Sequence, residues 1–180
     1  MTTKIFFDTE FTGLHQYTSL ISIGMVSETG LQFYAEFTDY AQDQCDDWIQ
    51  NNVIRNTQWL NKHAMTPLTE QQGELTRCVG PTEYVVKELT KWLTQFELIE
   101  MWADCLAYDW VLFCQLFGGA CYLPNNIFYM PSDLVALFVH KGLNPDTDRQ
   151  VFIQQSELAL HNALNDALMT QSCYLKLTNM

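Results

Sequence analysis

Lys4-Ile5-Phe6-Phe7-Asp8-Thr9-Glu10-Phe11-Thr12-Gly13-Leu14 is the stretch that decides how this chain reads. Its first half is a short apolar run, the mark of a buried strand. Its second half turns polar and runs into a glycine. Residues i and i+2 of a strand point the same way, so Asp8 and Glu10 share one face. Two carboxylates at the edge of a core repel each other unless a cation joins them. Solvated acids at a strand end are the bland alternative, and the pair alone does not decide between the two.

The neighbouring sequence extends this strand into a sheet. Ser19 to Val26 reads as a second strand, weighted by Leu20, Ile21 and Ile23. Glu28-Thr29-Gly30 is a turn, and Leu31 to Phe37 alternates as a third strand, which predicts a three-stranded antiparallel meander. Residues 39–80 are polar and irregular, with short helical pieces expected around Trp48-Ile49 and Trp59-Leu60, and with Pro67 and Gly73 as interruptions. Pro81-Thr82-Glu83 opens a helix with Thr82 as its N-cap. Val85, Val86, Leu89, Trp92, Leu93 and Phe96 make its apolar face.

Glu97 to Ala103 reads as a fourth strand, and Tyr108 to Phe117 as a helix stopped by Gly118-Gly119. Ile127-Phe128-Tyr129 is expected to be a short strand. Pro131-Ser132-Asp133 starts a helix that ends near Lys141-Gly142. A loop covers 143–155, and a last helix includes Ala163 to Leu175. Strands first, then helix–strand alternation, predict an α/β layer fold with a mixed sheet. No repeat, linker or low-complexity tract divides the chain, so 1–180 reads as one domain.

Composition excludes several classes. Of 180 residues, 48% are apolar and 13% aromatic, enough to build a core and too many for a disordered chain. No apolar run reaches the roughly 18 residues of a membrane span, and the start lacks a secretory signal. The formal charge is −12. The nine basic residues are scattered, which argues against a protein that grips a long phosphate backbone with a basic stripe. A nucleic-acid partner would have to be held by a short end. The six cysteines, at 45, 78, 105, 114, 121 and 173, show neither a C-x-x-C pair nor zinc spacing. They read as buried reduced thiols of a cytoplasmic protein.

Three further residues bear on chemistry. Asp109 follows the fourth strand near the start of a helix, where a capping or dipole role is the plain reading. Asp104 is a second acid in the same segment. His161 stands at or just before the last helix, and Asp166 one turn inside it. A lone histidine is more often structural than catalytic. An aspartate in an Ala- and Leu-rich helix is harder to dismiss, because it is a poor helix former and is seldom buried unpaired.

Singly these signals are weak, but their order is specific. Asp8-x-Glu10 after the first strand, Asp109 after a middle strand and His161-x4-Asp166 at a late helix together resemble the DEDDh pattern. That pattern belongs to 3′–5′ exonucleases on the ribonuclease-H-like fold. The likeness is greatest to ribonuclease AS-like 3′–5′ exoribonucleases. It is carried by Phe6-Phe7-Asp8-Thr9-Glu10-Phe11, Leu20-Ile21-Ser22-Ile23-Gly24, Glu100-Met101-Trp102-Ala103, Ala107-Tyr108-Asp109, Cys114-Gln115-Leu116-Phe117-Gly118 and His161-Asn162-Ala163-Leu164-Asn165-Asp166-Ala167. The pattern often has Asn before its third acid. Here Asp104 is the nearest polar residue, and its role stays open.

The resemblance implies Asp8, Glu10, Asp109 and Asp166 as ligands of two Mg²⁺ or Mn²⁺ ions, with His161 as general base. Hard divalent cations take oxygen ligands, and two of them about 4 Å apart clamp the attacking and leaving oxygens of a phosphoryl displacement. The implied reaction removes 5′-nucleoside monophosphates from the 3′ end of single-stranded RNA, with a preference for adenylates. Phe11, Thr12, Gly13 and Leu14 would lie beside the terminal nucleotide, although Leu14 reads equally well as core. Trp48 and Trp59 are candidate stacking surfaces, with core packing as the alternative. The resemblance also implies a homodimer. DNA as substrate, and a nucleotide-binding module without turnover, are the rival readings.

Overall fold

The computed structural model describes residues 1–60, 66–155 and 159–180. Its frame is a seven-stranded mixed sheet in the order β4-β5-β3-β2-β1-β6-β7, flanked by helices, as in ribonuclease-H-like folds. The predicted meander is present as β1 (Thr2–Phe11), β2 (Leu20–Ser27) and β3 (Gln32–Phe37), paired antiparallel. The fourth predicted strand, β6 (Leu98–Ala103), lies parallel to β1 on its other side. β1 is therefore an interior strand, with an antiparallel neighbour, β2, on one side and a parallel one, β6, on the other.

Side-chain alternation sorts the sheet into two faces. Ile5 and Phe7 of β1, Ile23 and Met25 of β2, Phe33 and Ala35 of β3, and Ile99 and Met101 of β6 enter one large core cluster. Against it pack α2 (Thr82–Leu93) and α3 (Ala107–Leu116). The expected apolar face of α2 is present except at Val86, which is only half-buried: Val85, Leu89, Trp92, Leu93 and the following Phe96 are buried. The opposite face carries Phe6, Val26 and Tyr34, covered by α6 (Ala163–Thr178) through Ala163, Leu164 and Ala167.

Several expectations are corrected. The stretch read as irregular contains α1 (Asp47–Asn52) and a hairpin, β4 (Leu68–Gln72) with β5 (Leu75–Gly80), and β5 pairs parallel to β3. β4 is polar because it forms the sheet edge, and β5 is buried only in its second half, at Cys78 to Gly80, so no hydrophobic period announces them. The helical piece expected around Trp59-Leu60 borders residues 61–65, which lie outside the described residues. Thr82 is the first residue of α2 and not its cap. Its N–H and hydroxyl donate to the Asp39 carboxylate, which takes the capping role from across the chain.

Ile127-Phe128-Tyr129 makes only a single bridge, Ile127 to Ile99. The strand that pairs with β6 is the two-residue β7 (Ser132–Asp133), and Asp133 then caps α4 (Leu134–His140) by accepting from the Ala136 N–H at 2.8 Å. The loop expected over 143–155 contains α5 (Arg149–Ile153). All six cysteines are free, but Cys105 and Cys121 are exposed and Cys45 is only partly covered, so the expectation of uniformly buried thiols fails. Among the described residues no helix is long and apolar enough to cross a membrane.

Candidate active site

Parity along β1 places Asp8 and Glu10 on the Phe6 face, the side covered by α6. Asp8 pairs with Gly24 of β2. A Cβ at Gly24 would lie 2.3 Å from the backbone of Ala163 and Leu164. Only glycine lets the first turn of α6 rest directly on the sheet there, and this contact delivers Asp166. One oxygen from each of Asp8, Glu10 and Asp166 lies within 4.8 Å of the others. The N-terminus of a helix favours the Asp166 anion through its dipole and free N–H groups.

Asp109 reaches the same end of β1 from the other face, on the first turn of α3. It is buried, and its Oδ1 accepts from the Thr9 backbone N–H at 3.0 Å and from the Thr9 hydroxyl. Its charge adds to the fields at Asp8 and Glu10. The structure thus gathers Asp8, Glu10 and Asp166 into one tight group and holds Asp109 beside it.

Crowding four carboxylates in a desolvated site penalises their ionisation. Burial first, and then the charges of Asp109, Asp166, Glu10 and Asp104, hold the Asp8 carboxyl well above the usual carboxylate range. Burial pushes Glu10 up to about 8 and Asp109 up to about 7, the latter against the pull of its Thr9 bonds. Asp166 rises to about 6 through burial, opposed by the backbone N–H groups of His161 and Asn162. No lysine or arginine is among the described residues lining the adjoining cavity of about 410 Å³. Arg149, the cation of the neighbouring cavity, is taken by Asp104, so Asp8, Glu10 and Asp166 keep clustered carboxylate oxygens, the donor set that a hard divalent cation requires.

His161 lines the cavity with them, two residues ahead of α6 and in a left-handed conformation (φ 58°). Its ring meets the edge of Trp48 with centroids 4.9 Å apart. Phe11, Gly13 and Leu14 form another wall of the same cavity. Leu14 is 78% exposed, which removes the core-packing alternative, and Trp48 is 53% exposed beside it. Thr12 does not reach the cavity. It is buried, and its hydroxyl is used inside the turn, donating to Gln44 Oε1 at 2.6 Å and accepting from the Ser19 N–H at 3.0 Å. Trp59 lies elsewhere, its backbone N–H donating to Glu36.

Sequence reading missed the supports. Gly24 carried a usable signal, since glycine inside a strand marks close backbone approach. The segment before α6 is tied by Asn56, whose Nδ2 donates to the Leu160 carbonyl at 2.9 Å, and by Asn162, whose Nδ2 donates to the Asn56 carbonyl at 3.2 Å. Those contacts span over a hundred residues and leave no local trace. Asp104 is also resolved: it takes a two-pronged bond from Arg149, Nε to Oδ2 at 2.6 Å and Nη2 to Oδ1 at 3.0 Å. Arg149 also lies over the Phe138 ring at 4.2 Å, and with Asp104 it lines a neighbouring cavity that Asp8, His161 and Asp166 share.

Two curated relatives are each 28% identical over 166 residues, covering 91% of this chain and 86% of their own length. They are the 3′-5′ exoribonuclease Rv2179c of Mycobacterium tuberculosis strain H37Rv and the 3′-5′ exoribonuclease MT2234.1 of strain CDC 1551. The family described as the 3′-5′ exoribonuclease Rv2179c-like domain matches residues 3–177, and the chain belongs to that family.

Proposed function

We propose that this protein is a 3′–5′ exoribonuclease that removes 5′-nucleoside monophosphates from single-stranded RNA. The observation that carries the reading is the group of Asp8, Glu10 and Asp166, within 4.8 Å of one another at a cavity that His161 also lines, in a chain of this family. Asp8, Glu10, Asp109 and Asp166 would hold two divalent ions, Mg²⁺ or Mn²⁺, as in the DEDDh nucleases of the ribonuclease AS type. Bound there, such ions polarise the phosphodiester and lower the pKa of the attacking water.

The protein's own groups do the rest. His161 takes the water proton as the new P–O bond forms, and the P–O3′ bond breaks, with the released O3′ taking up a proton from solvent. The shortened RNA keeps a 3′-hydroxyl, and the product leaves as a 5′-monophosphate. Trp48 and Leu14 offer exposed apolar surface on which a terminal base can stack. Phe11 and Gly13 complete that wall, while Thr12 keeps the turn in shape. An acidic chain with this site needs only the last nucleotides of its substrate, which fits its lack of a basic stripe.

Residues 1–180 form the exonuclease domain in this reading, with an adenylate preference and assembly as a homodimer included. The deciding experiment digests a 5′-labelled RNA and its DNA counterpart with Mg²⁺, with Mn²⁺ and with excess chelator. A ladder shortening from the 3′ end of RNA, lost in chelator and in Asp8→Ala, is expected. Full turnover by Asp8→Ala ends the proposal, and equal cutting of DNA ends its sugar specificity. Homopolymers compared side by side test the base preference, and light scattering tests the dimer.

A further inference from the structure

A second cavity, of about 470 Å³, lies behind the wall of the first. The two share their partition. Phe11 faces the carboxylate cavity, and its ring stacks on Tyr108 with centroids 5.3 Å apart and planes 20° apart. Tyr108 faces the second cavity. In the turn that follows β1, Gly13 and Leu14 line the first cavity, and His15 and Gln16 line the second. The partition is therefore one stacked pair of rings and one tight turn thick.

The turn is held rigidly. The Gly13 N–H donates to the Thr18 hydroxyl at 3.0 Å, and the Thr12 N–H donates to the Ser19 carbonyl at 3.0 Å. Gln44 adds a bond from its Nε2 to the Tyr17 carbonyl. The turn side of the second cavity is thus braced by these bonds, and α3 forms the other side.

Its chemistry narrows the occupant. The described lining includes no lysine, arginine, aspartate or glutamate, so neither a phosphate nor a metal ion finds a charged partner. Tyr108 supplies a flat aromatic surface and Val111 an apolar one. His15, Gln16 and Gln115 supply hydrogen-bond donors and acceptors at the rim. A flat, uncharged heteroaromatic ring with a polar edge meets both demands. Such rings come in series along single-stranded RNA, and aromatic stacking accepts any of them because every base has a π-face.

We propose that this cavity receives an upstream nucleobase of the same RNA whose 3′ end lies at the carboxylates. The inference rests on the exoribonuclease reading and adds to it a second base subsite, which gives a chain without a basic stripe a grip on single strands. A base held in a duplex cannot enter a recess, so the same feature selects unpaired 3′ ends.

The test uses RNA oligomers carrying one abasic residue at each of the last four positions. Their kcat/KM is measured on the wild type, on Val111→Glu and on Gln115→Ala. Val111 is 52% exposed, so its replacement does not open the core. One internal position is expected to be sensitive in the wild type, with a loss of about fivefold or more, the size of one stacked base. The two variants should lose a similar factor on intact RNA and lose no more when that position is abasic.

Equal abasic sensitivity in wild type and variants overturns the subsite, as does a wild type indifferent at every internal position. The abasic scan on the wild type alone keeps the test decisive if either variant misfolds. A mononucleotide p-nitrophenyl ester separates the two readings. Its metal-dependent hydrolysis by the wild type, with no internal abasic effect on RNA, sinks the subsite and leaves the nuclease standing. Inertness toward both ester and RNA sinks the nuclease reading and the subsite with it.

Discussion

The two faces of the sheet obey opposite physics. On one, Ile5, Phe7, Met25, Phe33 and Met101 interlock with α2 and α3, and burial lowers the free energy of the fold. On the other, the same strands present Phe6 and Val26 at one end and Asp8 and Glu10 at the other, beneath α6. There, burial raises the free energy of every charge it covers. The apolar face supplies the stability that the carboxylate face spends on holding like charges together. The join between them is a single strand, β1, whose consecutive residues belong to different worlds.

Four experiments would break or sharpen that contrast. The largest effect is expected from Gly24→Val. Its side chain would collide with the Ala163 and Leu164 backbone, lifting α6 from the sheet. A loss of about 4 kcal/mol or more in denaturant unfolding is expected, with metal binding by calorimetry lost alongside. Near-normal stability there would mean that the close approach of α6 does not matter.

Phe7→Ala probes the other face. Phe7 is fully buried against Phe113, and its truncation should cost about 3–5 kcal/mol. The fraction that stays folded should keep most of its kcat, because Asp8, Glu10 and Asp166 lie on the opposite side and Asp109, on the Phe7 side, is tied to Thr9. A fall in kcat per folded molecule would show that the faces are not independent.

The pH dependence comes next. Ordinary carboxyls titrate near 4, whereas Asp166, Glu10 and Asp109 in the fold stand at about 6, 8 and 7. Between those values the folded chain binds more protons than the unfolded one, so stability falls as pH rises. Without metal, the midpoint of thermal unfolding should drop by about 5 °C or more from pH 5 to pH 8. Mn²⁺ should flatten the profile, and Asp8→Asn should make it shallower. A metal-free profile that rises over this window would contradict the buried-charge account.

Thr9→Val should have the smallest effect on stability and still be felt in function. It deletes the hydroxyl that holds Asp109 while leaving the backbone bond. Loss of such a supporting partner is expected to cost about 10- to 100-fold in metal affinity or rate. Titration calorimetry with Mn²⁺, next to an unchanged unfolding curve, would check it.

The contrast also explains what could be read in advance. The meander, α2 and α6 were legible because each buries a face, and burial writes a period of 2 or 3.6 into the residues. The β4–β5 hairpin was not, because an edge strand such as Leu68–Gln72 is largely solvated and needs no such period. The cap of α2 escaped for another reason. Asp39 satisfies it from 43 positions away, and a local motif cannot report a distant partner. The acids of the site were legible as residue types at particular element ends, whereas Asp104 stayed open until its bond to Arg149 was seen.

From its residues alone this chain determined an α/β layering, a carboxylate pair on one side of β1, and a net negative charge whose few basic residues are scattered along the sequence. Alternation and composition are local properties, so the order of amino acids expresses them directly. Tertiary structure decided that Asp166 meets Asp8 and Glu10, that Thr9 holds Asp109, that Thr12 faces inward while Leu14 faces out, and that a second recess backs onto the first. Those outcomes depend on how closely a helix can approach a sheet, and a missing Cβ at Gly24 sets that distance only once both are in place.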